Sequence, residues 1–230
     1  MAETKRLSWD QTGKRLYETG VKNGVLYVYN ATNKAYGEGV AWNGLTAVTE
    51  SPSGAEPTAL YADDIKYLEL MSAEEFGGTI EAYTYPDEFA ACNGEAQLVA
   101  GVKMSQQSRA MFAFSYVTTV GNDTMGNDYG AKLHIVYGAK ASPSEKAYAT
   151  INDSPEAITF SWEFTTTPVE VDGFKPTAHI EIDKKALPDG KWDAIIEKLW
   201  GGAEAPTLLM PADIVDLVGS GSTTGEDQTA

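Results

Sequence analysis

The chain is poor in the residues that most active sites are built from. Of its 230 residues, one is cysteine and two are histidine. A single thiol, Cys92, excludes an intramolecular disulfide and a thiolate zinc cluster, and it reads as a small residue of the core or of an interface. The histidines, His134 and His179, each fall on the polar side of a strand-like alternation, with no HExxH or similar ligand spacing around them. They are expected at the surface or in a subunit contact. Positive charge is scarce too: 17 Lys and Arg stand against 33 Asp and Glu, for a formal net charge of -16. Gripping phosphate needs clustered cations that displace counterions, so this acidic chain does not read as a nucleic-acid binder. No apolar run approaches the roughly 18 residues of a membrane span. The polar start Met1-Ala2-Glu3-Thr4-Lys5-Arg6 lacks the apolar stretch of a signal peptide. Synthesis in the cytoplasm, without membrane insertion, is the expectation.

Catalytic constellations are equally thin. Gly219-Ser220-Gly221-Ser222 has the spacing of a nucleophile elbow but follows no buried strand. Asp63-Asp64, Glu74-Glu75 and Asp87-Glu88 are adjacent acids, which point to opposite faces in a strand and to solvent in a turn. Residues 121–128 place acids and amides around glycine, without the ligand spacing or terminal Glu of an EF-hand. The expectation is a non-enzyme that needs no cofactor and no metal. The five Trp and twelve Tyr mostly alternate with polar residues at strand period, which suits core packing and subunit contacts.

What the sequence does hold is apolar alternation cut by turns, and 43% hydrophobic residues suffice for a core. Asn23-Gly24 between two strand-like runs predicts a first hairpin. Residues 40–50 read as strand around a kink at Asn43-Gly44. Runs at 59–62 and 65–71 joined across Asp63-Asp64, with a third at 79–85 behind Gly77-Gly78, predict antiparallel strands. Ahead of them stand Glu50, Ser51, Pro52, Ser53, Gly54, Ala55, Glu56 and Pro57. These are too rich in Pro, Gly and Ser to pair in a sheet, and they predict a long exposed loop. Tyr85-Pro86-Asp87-Glu88-Phe89 opens a short helix that Asn93-Gly94 stops.

Strands are expected at 97–103, 110–119, 132–137 and 148–151, with a loop over 121–130. The clearest alternation sets Ile158, Phe160, Trp162 and Phe164 against Thr159, Ser161, Glu163 and Thr165. Ala178, Ile180 and Ile182 against His179, Glu181 and Asp183 repeat it, so each strand has one dry and one wet face. Trp192, Ile195, Ile196 and Leu199 then form the apolar stripe of a helix ended by Gly201-Gly202. Residues 208–210 predict an edge strand and 211–218 a last helical segment. The organisation is an arm at 1–14, one domain over 15–218 and a flexible tail at 219–230. By class it is α+β and β-rich, with antiparallel sheets packed as a sandwich or rolled barrel and flanked by an α-helix.

A series of motifs runs through this framework: Trp42-Asn43-Gly44-Leu45, Val48-Thr49-Glu50, Glu56-Pro57, Tyr61-Ala62-Asp63, Tyr67-Leu68, Gly77-Gly78-Thr79 and Tyr85-Pro86-Asp87-Glu88-Phe89. It continues with Gly121-Asn122-Asp123, Asp128-Tyr129-Gly130, Leu133-His134-Ile135-Val136-Tyr137-Gly138-Ala139, Ile151-Asn152-Asp153-Ser154-Pro155 and Phe160-Ser161-Trp162-Glu163-Phe164. In this order, along the chain up to about Val218, they resemble the major tail protein, or tail tube protein, of long-tailed, non-contractile bacteriophages of Gram-positive hosts. The resemblance implies a structural virion protein of two packed β-sheets. Six copies would close a ring, and rings would stack into the tail tube through which DNA is ejected into the host. It implies no active site and no cofactor. The partners would be the chain itself, the tape-measure protein, and the tail-tip and terminator proteins.

On this reading the loop from Glu50 to Pro57 reaches a neighbouring subunit or the next ring. Thr159, Ser161, Glu163 and Glu181 are candidates for the lumen, where an acidic wall would let a polyanion slide. A carbohydrate-binding β-sandwich serving as a host adhesin of the tail is the alternative. The two differ at the sheet edges, which a tube subunit leaves free for copies of itself and a soluble binder blocks.

Overall fold

The computed structural model describes residues 6–151, 153 and 156–219, and most of the ordered chain is antiparallel strand. Strand β1 (Leu16–Asn30) comes first, and β2 (Ala35–Tyr36) and β3 (Val40–Trp42) both fold back onto it. After Asn43-Gly44 come β4 (Leu45–Glu50), β5 (Ser53–Gly54), β6 (Pro57–Ala62), β7 (Ile65–Met71), β8 (Glu74–Glu75) and β9 (Gly77–Ala82). One helical turn, α1 (Phe89–Cys92), and a small hairpin of β10 (Ala96–Val99) and β11 (Val102–Met104) lead to β12 (Phe112–Asn122) and β13 (Gly126–Ala141). Strands β14 (Phe160–Thr166) and β15 (His179–Asp183) and helices α2 (Lys191–Trp200) and α3 (Pro211–Val218) follow.

One sheet organises these elements, in the order β2-β1-β12-β13-β14-β9-β4, with β3 also on β1 and β15 also on β13. Strands β3 and β4 lie toward opposite ends of that path, yet only Asn43 and Gly44 join them. The sheet must therefore roll until its ends meet. The expected β-rich α+β class stands, and the packed layers are two halves of one continuous sheet.

Alternation on the central strands gives that sheet two buried faces. Phe112, Phe114 and Tyr116 of β12 point into the roll with Leu26, Trp42, Ile80, Phe89, Trp162 and Phe164. Ala113 and Val117 of β12, with Leu133, Ile135 and Tyr137 of β13, face the other way under Ile195, Leu199, Leu208 and Leu209. Burial on both sides explains why Phe-Ala-Phe-Ser-Tyr-Val reads as a near-continuous apolar run. Complete burial of a side chain such as Phe112 or Ile195 contributes about 1.5–3 kcal/mol. Phenol tips in this second core find carbonyls: Tyr27 Oη donates to Leu199 O at 2.7 Å and Tyr137 Oη to Leu209 O at 2.8 Å. Cys92 is a core residue, and burial pushes its thiol up to about 12.

Gly138 is the point where β13 changes partners. Before it, Val136 pairs with His179 of β15; after it, Ala139 pairs with Thr166 of β14. The switch needs φ +59 at Gly138, whose carbonyl accepts from Thr167 N at 3.0 Å. A Cβ there would lie 2.2 Å from Thr167 O.

Several expectations are overturned. Asn23-Gly24 makes no hairpin, because only Asn23 takes positive φ, and β1 continues through both with register shifts against β12. Gly24 sits in close packing, where a Cβ would displace the Leu45 side-chain tip, 2.4 Å away, and press on Phe114 Cε2 at 3.2 Å. Glu50 to Pro57 is not an unpaired loop: Ser53 pairs with Glu75, Gly54 with Glu74 and Pro57 with Met71. Proline opens that edge strand, where its missing N–H does no harm. Residues 97–103 turn at Gly101, φ +79, into the β10-β11 hairpin. The loop expected over 121–130 shrinks to a tight turn, because Asn122 Oδ1 accepts from Thr124 N at 3.2 Å and Met125 N at 2.6 Å, so β13 starts at Gly126. Residues 148–151 and 208–210 form no strand; Leu208 and Leu209 are buried against the sheet instead. Residues 1–5 of the expected arm and 220–230 of the expected tail lie outside the described residues.

Two glycines with positive φ separate strain from collision. Gly173→Ala, at φ +75 in open space, is expected to cost about 1–2 kcal/mol. Gly138→Ala adds displacement of the Thr167 backbone and is expected to cost about 3 kcal/mol or more. Urea unfolding of the two variants checks this, and equal losses would contradict the role given to Gly138.

Candidate functional site

Between β4 and β9, which pair with each other, the ladder continues outward as an arm. Ser51 N donates to Gly77 O at 2.8 Å, β5 pairs with β8, and β6 pairs with β7. The arm turns at Asp63-Asp64, both left-handed at φ +51 and +63, as a two-residue hairpin turn requires. Among the described residues, β6 and β7 are hydrogen-bonded to each other alone, so each has a free edge. Their side chains are apolar and wet: Tyr61 is 73% exposed, Met71 70%, Tyr67 68% and Ile65 65%. Leu60 faces Leu68 across the ladder and Leu70 faces Thr58, forming an apolar strip on one face. A two-stranded ribbon of this kind is marginal on its own and presents both edges and faces for pairing.

A second cluster stands where the arm leaves the sheet. Glu50, the last residue of β4, meets Tyr116 of β12, His134 of β13 and His179 of β15. Tyr116 Oη donates to Glu50 Oε1 at 2.6 Å. Glu50 Oε1 also lies 3.4 Å from His134 Nδ1 and 3.6 Å from His179 Nε2, and those two nitrogens are 3.2 Å apart. Phe76, His179, His134 and Tyr116 stack in series, with ring centroids 4.8, 5.4 and 4.7 Å apart. Burial lowers the pKa of both histidines, with Glu50 acting in the opposite direction. Burial, aided by the Glu50 acceptor, raises that of Tyr116.

Of the two places expected for the histidines, surface or subunit contact, the open surface is overturned. His134 is 5% exposed and His179 half-buried, because the wet face of β13 and β15 turns into the roll, under Glu50 and Phe76. The sequence signal was present, since both residues lie on that face. What it lacked was register: Tyr116 opposite His134 and Val136 opposite His179.

The four lumen candidates are not brought together. Thr159 precedes β14, and Ser161 and Glu163 lie on the face opposite buried Trp162 and Phe164, Glu163 beside Thr79 and Ser161 beside Glu81. Glu181 lies across from His134, on the face that enters the roll. It bonds Lys132 Nζ at 3.0 Å, and Glu18 bonds the same nitrogen. Those two carboxylates, Glu18 foremost, raise the Lys132 pKa. Glu163 and Glu181 thus occupy opposite faces of the sheet.

Compared with known family models and with curated proteins, the chain matches none. Among the described residues, no helix is long and apolar enough to cross a membrane.

The histidine pair makes stability depend on pH. Between the lowered native values and about 6.5 the unfolded chain binds protons that the native state does not. The stability these groups contribute is therefore complete above about pH 6.5 and is lost as pH falls toward the native values. Against the double variant His134→Gln, His179→Gln, the wild-type unfolding free energy in EDTA buffer is expected to fall more steeply below about pH 6.5. Parallel curves would contradict this.

Proposed function

We propose that this chain is the ring-forming subunit of a phage tail tube, which assembles through its arm. The observation that carries the reading is the arm itself, residues 51–76, a paired ribbon with free edges and exposed Leu60, Tyr61, Ile65, Tyr67, Leu70 and Met71. A soluble monomer gains nothing from such a ribbon, whereas a self-assembling subunit uses it to pair with or lie across a copy. Other exposed apolar groups lie away from the arm, including Leu98 and Val99 on the small hairpin and Phe174. Several separate contact patches suit a subunit with neighbours both within its ring and in adjacent rings. The motif order that resembles tail tube proteins and the rolled, helix-flanked sheet support the same reading. The tape-measure, tail-tip and terminator proteins enter as partners on the resemblance alone, as does the placing in the virion.

Net charge of -16 suits a conduit that must not hold DNA. Of the acidic candidates, Glu181 belongs to a charged surface with Glu18, Lys132 and Asp183, and Glu163 does not. We assign the lumen to the Glu181 surface.

Two tests follow. Leu60→Glu with Leu70→Glu replaces exposed side chains and is expected to leave unfolding within about 0.5 kcal/mol of wild type while abolishing polymers in sedimentation and negative-stain images. Polymers at wild-type yield would sink the arm's role, and a wild-type monomer that binds a glycan array would favour the adhesin alternative. In phage, Glu181→Lys is expected to slow DNA ejection, more so at low salt, while Glu163→Lys leaves it unchanged. The reverse pattern would move the lumen to the other face.

A further inference from the structure

Glu50, His134 and His179 arrive from three strands and bring three Lewis-basic atoms within 3.6 Å of one another. Hydrogen bonding accounts for this triangle only in part. The outer nitrogen of His134, Nε2, sits 3.0 Å from Thr118 Oγ1. When the ring donates that bond, His134 Nδ1 is a bare lone pair. The three atoms then share the proton that Tyr116 Oη gives to Glu50 Oε1 and at most one more, on His179 Nε2. Ligand atoms crowded together in this way are what a cation satisfies.

We propose that this triangle is a site for a divalent transition ion of the zinc class, bound by Glu50 Oε1, His134 Nδ1 and His179 Nε2. Its size supports the assignment. Tetrahedral zinc holds imidazole nitrogen and carboxylate oxygen at about 2.0–2.2 Å, which separates neighbouring ligand atoms by about 3.3–3.5 Å. The observed edges of 3.2, 3.4 and 3.6 Å outline one face of such a tetrahedron. Two imidazoles and one carboxylate suit zinc, whereas magnesium and calcium favour oxygen throughout.

Outer hydrogen bonds orient the ligands as metal sites require. Thr118 Oγ1 can accept from His134 Nε2, the tautomer that frees Nδ1 for the ion, and Tyr116 Oη occupies one lone pair of Glu50 Oε1, leaving the other. A cleft of about 440 Å³ lined by Pro52, Glu74, Pro168 and Pro176 also reaches Glu50 and His179, which gives water and ions a route to the site. An ion here fastens the root of the arm to β13 and β15. The site stands on its geometry and does not depend on the tube reading.

Titrating chelator-stripped full-length protein with Co²⁺, and with Zn²⁺ by calorimetry, tests the proposal. The wild type is expected to bind one equivalent, and bound Co²⁺ to show the intense visible bands of a four-coordinate ion. His179→Gln and Glu50→Gln, each folded by circular dichroism, should lose that binding. Tyr116→Phe should retain it with affinity weakened about 10-fold to 100-fold. Because His134 is buried, the two partly exposed ligands keep the test decisive if His134→Gln fails to fold. No stoichiometric binding by the wild type, a weak octahedral Co²⁺ spectrum, or unchanged binding in His179→Gln would each overturn it.

Discussion

Strands β12 and β13 lie where both faces of the sheet are covered, and the rest of the fold is arranged to keep them dry. Phe112, Phe114 and Tyr116 need the roll to close over them, while Leu133, Ile135 and Tyr137 need α2 and the buried leucines ahead of α3. A flat sheet could satisfy only one of these demands. Rolling satisfies both, but a rolled sheet needs β13 to serve two partners along its length, and Gly138 supplies the backbone conformation for the exchange. Strand β15 then carries the end of β13 nearest the histidines, and β14 brings Trp162 and Phe164 into the roll.

That arrangement grades the inner face of the sheet from dry core to solvent-exposed charge. Packed aromatics around Trp42 and Trp162 give way to the stacked rings of Tyr116, His134 and His179, and then to the Glu18, Lys132 and Glu181 charges. The histidine layer sits at the boundary, dry enough to favour neutral imidazole and polar enough to hold Glu50. Glu50 ends β4, so whatever fixes that layer also fixes the origin of the arm.

Local signals in the sequence were reliable where short-range chemistry decides. Asp63-Asp64 marked the tip of the arm, the Trp192, Ile195, Ile196 and Leu199 stripe marked α2, and alternation from Phe160 to Phe164 marked β14. They failed where tertiary packing overrides local preference. Asn23-Gly24 has the composition of a hairpin turn, but β1 runs on through it, paired with β12 on one side and β3 on the other. Pro52, Gly54 and Pro57 argued for a loop, yet a two-stranded ribbon offers free edges on which such residues are tolerated. The cluster of Glu50, His134 and His179 was beyond local reading, since its members are separated by 84 and 45 residues and only strand register unites them. The same register places Glu163 and Glu181 on opposite faces, although both occupy wet positions in their own strands.

The central claim is that the arm exists to be covered by another copy of the chain. Cryo-electron microscopy of the concentrated, purified protein addresses it most directly. The account predicts rings or stacked rings in which residues 57–71 lie against a neighbouring subunit, with Leu60, Tyr67 and Met71 out of water. A protein that stays monomeric at high concentration, or a polymer whose arms project freely into solvent, would contradict it.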